Sequence, residues 1–304
     1  MTPTTLSLVD LDQPSDGYRR FIACWVLARP GLGLVVDPGP TRTIPQLVER
    51  LRALGVERLD LVLLTHIHLD HGGGTAALLE AFPGARVFCH AGGVRHLQAP
   101  EQLWQGSLRA IGAVAEMYGP PGPVAAGRFA SEAELRAQGV EVIPTPGHAP
   151  HHLSFRVGEI LFAGEALATR MQLSNGREYL RPATPPRFEL GVFLSSLERL
   201  AALAPAPSRV ALAHHGEVGD LRALAARARA QLAVWVEVCR RQRAARPSAP
   251  EPELVEAIFR RLLAEDPAFG QDAFQGLPAD IQTREEFYVK NSLRGLLGYL
   301  ALQP

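Results

Sequence analysis

One segment of this 304-residue chain constrains the fold more than any other: Leu61 to Gly74, LVLLTHIHLDHGGG. An apolar, strand-like run passes straight into four potential metal donors, His66, His68, Asp70 and His71, and then into three glycines. The donors cannot all sit on a helix. Residues two apart on a helix point to opposite faces, so His66 and His68 can share an ion only from a tight loop at a strand end that aims both inward. Glycine lets the backbone come close behind them. Asp70 and His71 have other directions available, which suits a second ion beside the first: imidazoles supply neutral nitrogens and the carboxylate offsets cationic charge. Four solvated loop residues are the bland alternative, and the specificity of the spacing argues against it.

Around that segment the chain reads as mixed α and β. Short apolar or β-branched runs bounded by turn residues mark strands at Thr5–Val9, Phe21–Ala28, Gly33–Val36, Leu59–Leu64, Arg86–Cys89, Val140–Ile143, Leu153–Val157, Ile160–Ala163 and Arg209–Ala213. Pro30 and Gly31 make a hairpin turn, Gly158 and Glu159 another, and Thr43–Leu54 with Gly55 behind it reads as a helix with a glycine stop. Between Leu97 and Gln138 a helix-prone insertion, broken by Gly119 to Pro123, predicts two helices and a bend covering one edge. After Gly219 the period changes: Leu221, Leu224, Ala228, Leu232, Trp235 and Cys239 recur at helical spacing. Glu253–Leu263 and Thr283–Leu302 predict further helices, the latter opened by Thr283 and Glu286 at capping-box spacing. The expected division is therefore residues 1–218, with an insertion at 97–138, and a helical region 219–304.

In its motifs and their order, the chain resembles the metallo-β-lactamase superfamily over roughly Thr5 to Glu217. HxHxDH after a strand is that family's hallmark; Val36-Asp37-Pro38-Gly39 resembles its early turn, Thr145-Pro146-Gly147-His148 its TPGH ligand loop, and Phe162 to Glu165 its FxGD segment. The resemblance implies a four-layer αβ/βα sandwich with a helical carboxyl-terminal region. It implies two divalent ions, zinc first with iron or manganese as alternatives: one on His66, His68 and His148, the other on Asp70, His71 and a late histidine, with residue 165 bridging. The family usually has Asp there, and the extra methylene of Glu165 bears on metal spacing, preference and occupancy. For the late ligand, His214 is the choice as the residue after the strand ending at Ala213, with His215, directly before Gly216, as the alternative.

The implied chemistry is hydrolysis of an ester, thioester, lactone or phosphodiester by a metal-bound hydroxide, with Asp70 holding one ion and orienting the nucleophile. An iron-dependent persulfide dioxygenase, a phosphodiesterase or nuclease, and a non-catalytic scaffold are the competing readings. No cysteine stands at a ligand position, so the cysteine-containing β-lactamase site is absent. Tyr179 and Arg181, in the YLRPATPP segment after the bridging position, are candidate substrate contacts, with Pro-rich rigidity as the alternative role.

Charge and composition narrow the partners. Basic and acidic residues balance at 31 each, so no global field recruits nucleic acid or an anionic membrane, and a small-molecule substrate is expected. Cys24, Cys89 and Cys239 are odd in number and lack CxxC spacing, which predicts a reducing cytoplasm. The acidic first residues lack the positive leader of a signal peptide, and no apolar run reaches the roughly 20 residues that span a bilayer. The helices after residue 219 are expected either to close over the edge where the ligands gather or to form a homodimer contact. His90, His96, His151 and His152 are expected in structural roles, His152 helping to orient the site. Arg240, Arg241, Arg243 and Arg246 read as a helix end facing its own dipole, with anion binding as the alternative. No glycine cluster matches a nucleotide-binding loop.

Overall fold

The computed structural model describes residues 4–214 and 216–303; His215, the alternative late ligand, lies outside them. In chain order the strands are β1 (Thr5–Asp10), β2 (Ala23–Arg29), β3 (Leu32–Val36), β4 (Leu61–Leu63), β5 (Arg86–Phe88), β6 (Val140–Pro144), β7 (Leu153–Val157), β8 (Ile160–Gly164), β9 (Thr169–Gln172), β10 (Glu178–Arg181), β11 (Arg209–Leu212) and β12 (Glu217–Val218). The helices are α1 (Ile44–Ala53), α2 (Leu69–Gly72), α3 (Thr75–Ala81), α4 (Ala91–Gln98), α5 (Glu101–Ile111), α6 (Ala113–Tyr118), α7 (Glu132–Ala137), α8 (Leu190–Ala201), α9 (Leu221–Ala245), α10 (Glu251–Glu265), α11 (Gln271–Gln275) and α12 (Ala279–Ala301).

The chain forms two compact units. The first holds the residues up to Pro144 with His151–Gly164 and Arg209–Glu217; the second holds Thr145–Pro150, Glu165–Ser208 and the chain from Val218 on. The second unit's last segment begins at Val218, and two earlier stretches group with it.

Two five-stranded sheets build the first unit, ordered β1-β2-β3-β4-β5 and β12-β11-β8-β7-β6. In the first, β1, β2 and β3 are antiparallel and β3, β4 and β5 parallel. In the second, β6, β7 and β8 are antiparallel and β11 runs parallel to β8. Their apolar faces share one core: Trp25, Leu27, Leu34 and Leu63 from one sheet pack with Leu153, Phe155, Phe162 and Ala211 from the other. The Trp25 indole donates to the Leu212 carbonyl at 2.8 Å, joining the sheets by a buried hydrogen bond.

Nine expected strands are present to within about two residues at each end. The Pro30-Gly31 turn closes a hairpin with Arg29 opposite Leu32, Gly31 taking φ 80°. The insertion departs from its expected two helices. Gly112, at φ 50°, splits the first stretch into α5 and α6, and a Ser131–Glu134 capping box starts α7 beyond the bend.

The second unit contains the antiparallel pair β9–β10 and five helices. All six apolar residues of the expected period on α9 are buried. Buried Asp266 ties α9 to the end of α10, accepting from Trp235 Nε1 at 2.6 Å and Gln231 Nε2 at 2.8 Å. α12 starts one turn earlier than expected: its first turn follows Pro278 and carries Asp280, and Thr283 bonds back to the Ala279 carbonyl from inside the helix. No helix among the described residues is long and apolar enough to cross a membrane.

Candidate metal centre

Because β3 and β4 are parallel, with Val36 opposite Leu63, both open at the same sheet edge, one into Asp37 and the other into Thr65 and His66. Asp37 takes a left-handed backbone, φ 54°, a conformation that costs a non-glycine residue about 1 kcal/mol or more. It returns three hydrogen bonds. Oδ1 accepts from Thr65 N at 2.8 Å, and Oδ2 accepts from Thr65 Oγ1 at 2.7 Å and faces His71 Nδ1 at 3.2 Å.

That network decides which ring nitrogens can bind metal. Thr65 gives its one hydroxyl proton to Asp37, so the same oxygen, 3.0 Å from His66 Nδ1, accepts from His66. His71 Nδ1 faces Asp37 Oδ2, which already accepts from the Thr65 hydroxyl, so the ring is taken as the donor. In both rings Nδ1 therefore carries the hydrogen and Nε2 keeps the lone pair, the tautomer a ligand needs.

His66 and His68 stand in the loop after β4, as the spacing requires, and their rings meet edge-on at 4.5 Å. Asp70 and His71 sit on the single-turn helix α2, with His68 as its N-cap residue. The three glycines behind them are required by packing: a Cβ on Gly73 would lie 2.5 Å from the Leu69 carbonyl, and one on Gly74 2.4 Å from Ile44. His214 follows β11 and stacks on Phe21, ring centroids 4.3 Å apart and ring planes nearly parallel.

Donor atoms of Asp70, His71 and His214 lie within 4.8 Å of one another. Asp70 Oδ2 is 3.5 Å from His71 Nε2 and 3.9 Å from His214 Nε2. Ligands about 2.1 Å from a tetrahedral ion are separated by roughly 3.4 Å, so this donor set fits one divalent cation with little movement.

In the second unit His148 lies on a loop held by α8: Ser196 Oγ donates to the Pro146 carbonyl at 2.6 Å, and Gly147, at φ 138°, presses on Phe193, where a Cβ would come within 2.6 Å. His148 Nδ1 donates to the Ala183 carbonyl at 3.0 Å, which again leaves Nε2 as the lone-pair nitrogen. Nε2 is 2.9 Å from Oε2 of Glu165, the residue directly after β8, and both side chains are buried. The distance is that of an ion pair or hydrogen bond, and both atoms are of types that can ligate a divalent ion.

The remaining candidates separate clearly. His152 is buried behind the site, its ring filling the space at Gly164, where a Cβ would lie 2.4 Å from Nε2. His151 Nε2 accepts from Ile67 N at 3.3 Å, and His90 caps α4 by accepting from Gly92 N. Tyr179 and Arg181 are both buried, and Arg181 Nε meets Glu285 at 2.6 Å. Burial pushes the Tyr179 hydroxyl well above its ordinary pKa, and neighbouring Glu285 adds to the effect, so the phenol stays protonated. Asp37 and Phe21 are the residues that motif reading passed over as functional. The only signal for Asp37 was the turn it shares with Pro38 and Gly39.

The family model of the metallo-beta-lactamase superfamily matches residues 17–214. A hydroxyacylglutathione hydrolase of Aeromonas hydrophila is 31% identical over 204 residues, covering 65% of this chain and 63% of that protein, so the match spans less than two thirds of that relative's length. One from Albidiferax ferrireducens is 29% identical over 301 residues, 95% of this chain and 98% of that one. Two solved structures share the fold. An archaeal metallo-beta-lactamase superfamily protein from Sulfolobus tokodaii has a TM-score of 0.60 at 21% identity, covering 95% of this chain and 98% of its own. A beta-lactamase domain protein from Burkholderia ambifaria reaches 0.63 at 19%, covering 98% and 88%. The chain belongs to the metallo-beta-lactamase superfamily.

Proposed function

We propose that this chain is a metal-dependent hydrolase with two divalent ions, most simply zinc, acting on a small thioester or related acyl substrate. The motifs, carried over residue by residue, assign His66, His68 and His148 to one ion, Asp70, His71 and His214 to the other, and Glu165 as the bridge. The observation that carries the reading is the convergence of the Asp70, His71 and His214 donors, with His71 already turned by Asp37 into its ligating tautomer.

Bound ions of this kind would polarise a carbonyl and lower the pKa of water to about 7. The chain's own residues do the rest. Asp70 turns Oδ2 toward His71 and His214, and its other oxygen accepts a hydrogen bond from the attacking water and orients it. The buried rings of His66, His71, His148 and His214 keep bulk water from competing for the donors. Thioesters come first in the panel because relatives named hydroxyacylglutathione hydrolase align with most of the chain. Arg181, already paired with Glu285, is assigned to holding its loop rather than to substrate.

Elemental analysis of the purified protein, coupled to turnover on thioesters, lactones and phosphodiesters, tests the proposal. The expected result is about two ions per chain, thioester cleavage, and a loss of roughly 10³-fold or more in Asp70→Ala or His66→Ala. Metal-free protein, or undiminished turnover in Asp70→Ala, would refute it.

A further inference from the structure

We propose that α12, more than 130 residues after His148 in the chain, positions the His148 ring by clamping the turn that carries Ala183. The inference rests on the reading of His148 as a metal ligand. Ala183 supplies the carbonyl that accepts from His148 Nδ1, so the place of that carbonyl sets where Nε2 points. The turn around it is rich in proline, Arg181-Pro182-Ala183-Thr184-Pro185-Pro186, and the prolines fix φ and offer no N–H of their own. Its register must come from outside.

α12 provides it on both sides of Ala183. Ser292 Oγ donates to the Pro182 carbonyl at 3.2 Å and accepts from Thr184 N at 3.5 Å, while Thr184 Oγ1 donates to the Ser292 carbonyl at 3.0 Å. Two turns of α12 nearer its start, Glu285 takes the buried Arg181 guanidinium, which fixes the chain entering the turn. One turn nearer its end, Gly295 lets the turn lie directly on the helix: a Cβ there would be 2.0 Å from the Thr184 carbonyl oxygen and 2.5 Å from that of Pro185. Glycine inside a helix is unfavourable relative to alanine, and this backbone-to-backbone approach is the reason for it here. Removing an outer partner of a metal-bound histidine typically weakens metal binding by roughly 10–100-fold, so a shift of Ala183 has a measurable consequence.

The experiment measures zinc affinity of the full chain by competition with a chelator, together with the melting temperature of the metal-stripped protein. Gly295→Ala, which displaces the turn, and Thr184→Val, which removes only the hydroxyl donor, are each made alone and in a His148→Ala background. The expected result is a loss of roughly tenfold or more for Gly295→Ala and a smaller loss for Thr184→Val, both vanishing once His148 is alanine. Thr184→Val carries the test if Gly295→Ala does not fold. Wild-type affinity in both variants, or the same loss with and without His148, overturns the clamp while leaving His148 a ligand. Unchanged affinity in His148→Ala alone overturns the ligand assignment, and the clamp with it.

Discussion

Asp37 combines two tasks that no neutral side chain of its size can: it holds the Thr65 turn by two hydrogen bonds and accepts the proton that fixes the His71 tautomer. Asn would have to place its NH₂ group either against Thr65 N, donor facing donor, or against His71 Nδ1, where relief requires the proton to move to the other ring nitrogen. The first leaves a buried donor unsatisfied at about 1–3 kcal/mol, and the second removes the lone pair from Nε2. Asp37→Asn is therefore expected to weaken binding of the ion assigned to His71 by roughly 10–100-fold, read by zinc titration against a chelator; an unaltered isotherm would show that the carboxylate is dispensable. At this scale the residues proposed as donors stood out in the sequence because the HxHxDH spacing is itself the argument for them. Thr65, Phe21 and the Ala183 carbonyl did not: a hydroxyl, a ring face and a backbone oxygen act through position, which local sequence does not encode.

Legibility among the elements followed apolar pattern rather than burial, since β10 was passed over with three of its four residues buried. Strands with apolar faces, such as β3 and β7, announced themselves, whereas β9 and β10 were passed over because Arg170 and Glu178 fill them with charge and pair across the ribbon. The start of α12 was misplaced for a related reason, since Thr283 and Glu286 imitate a cap inside a helix that Pro278 has already begun. The same helix carries the buried group Glu285, with Arg181 and Arg284 on either side. Burial alone raises the Glu285 pKa, but the two guanidinium charges and their hydrogen bonds outweigh it and hold the carboxyl below its ordinary range. A carboxyl lowered on folding contributes stability that is fully present above its unfolded value of about 4.3 and is lost as pH falls through the folded one. Urea unfolding should thus show stability declining below about pH 4.3, with a shallower decline in Glu285→Gln. At neutral pH the substitution should cost about 3–5 kcal/mol by leaving two buried guanidiniums without their counter-charge. An acid limb identical in the two proteins would remove Glu285 from the account.

The molecule as a whole carries two separable sources of order. The apolar core between the sheets of the first unit, from Trp25 and Leu34 through Phe155 and Phe162, is built of side chains that offer no metal donor, so it is expected to form without an ion. By contrast, an ion that binds only the folded chain, as proposed for the donors of Asp70, His71 and His214, stabilises it by mass action. At a free zinc concentration 100 times the dissociation constant that amounts to about 2.7 kcal/mol for one site. Exhaustive chelation is therefore expected to leave the circular dichroism of the chain intact at room temperature while lowering its melting temperature by several degrees, and stoichiometric zinc to restore it. This behaviour differs from that of a zinc finger, where the metal supplies the fold. A chelated chain that unfolds at room temperature would mean that the core is insufficient by itself, and a melting temperature indifferent to zinc would mean that the donors hold no ion in the native state.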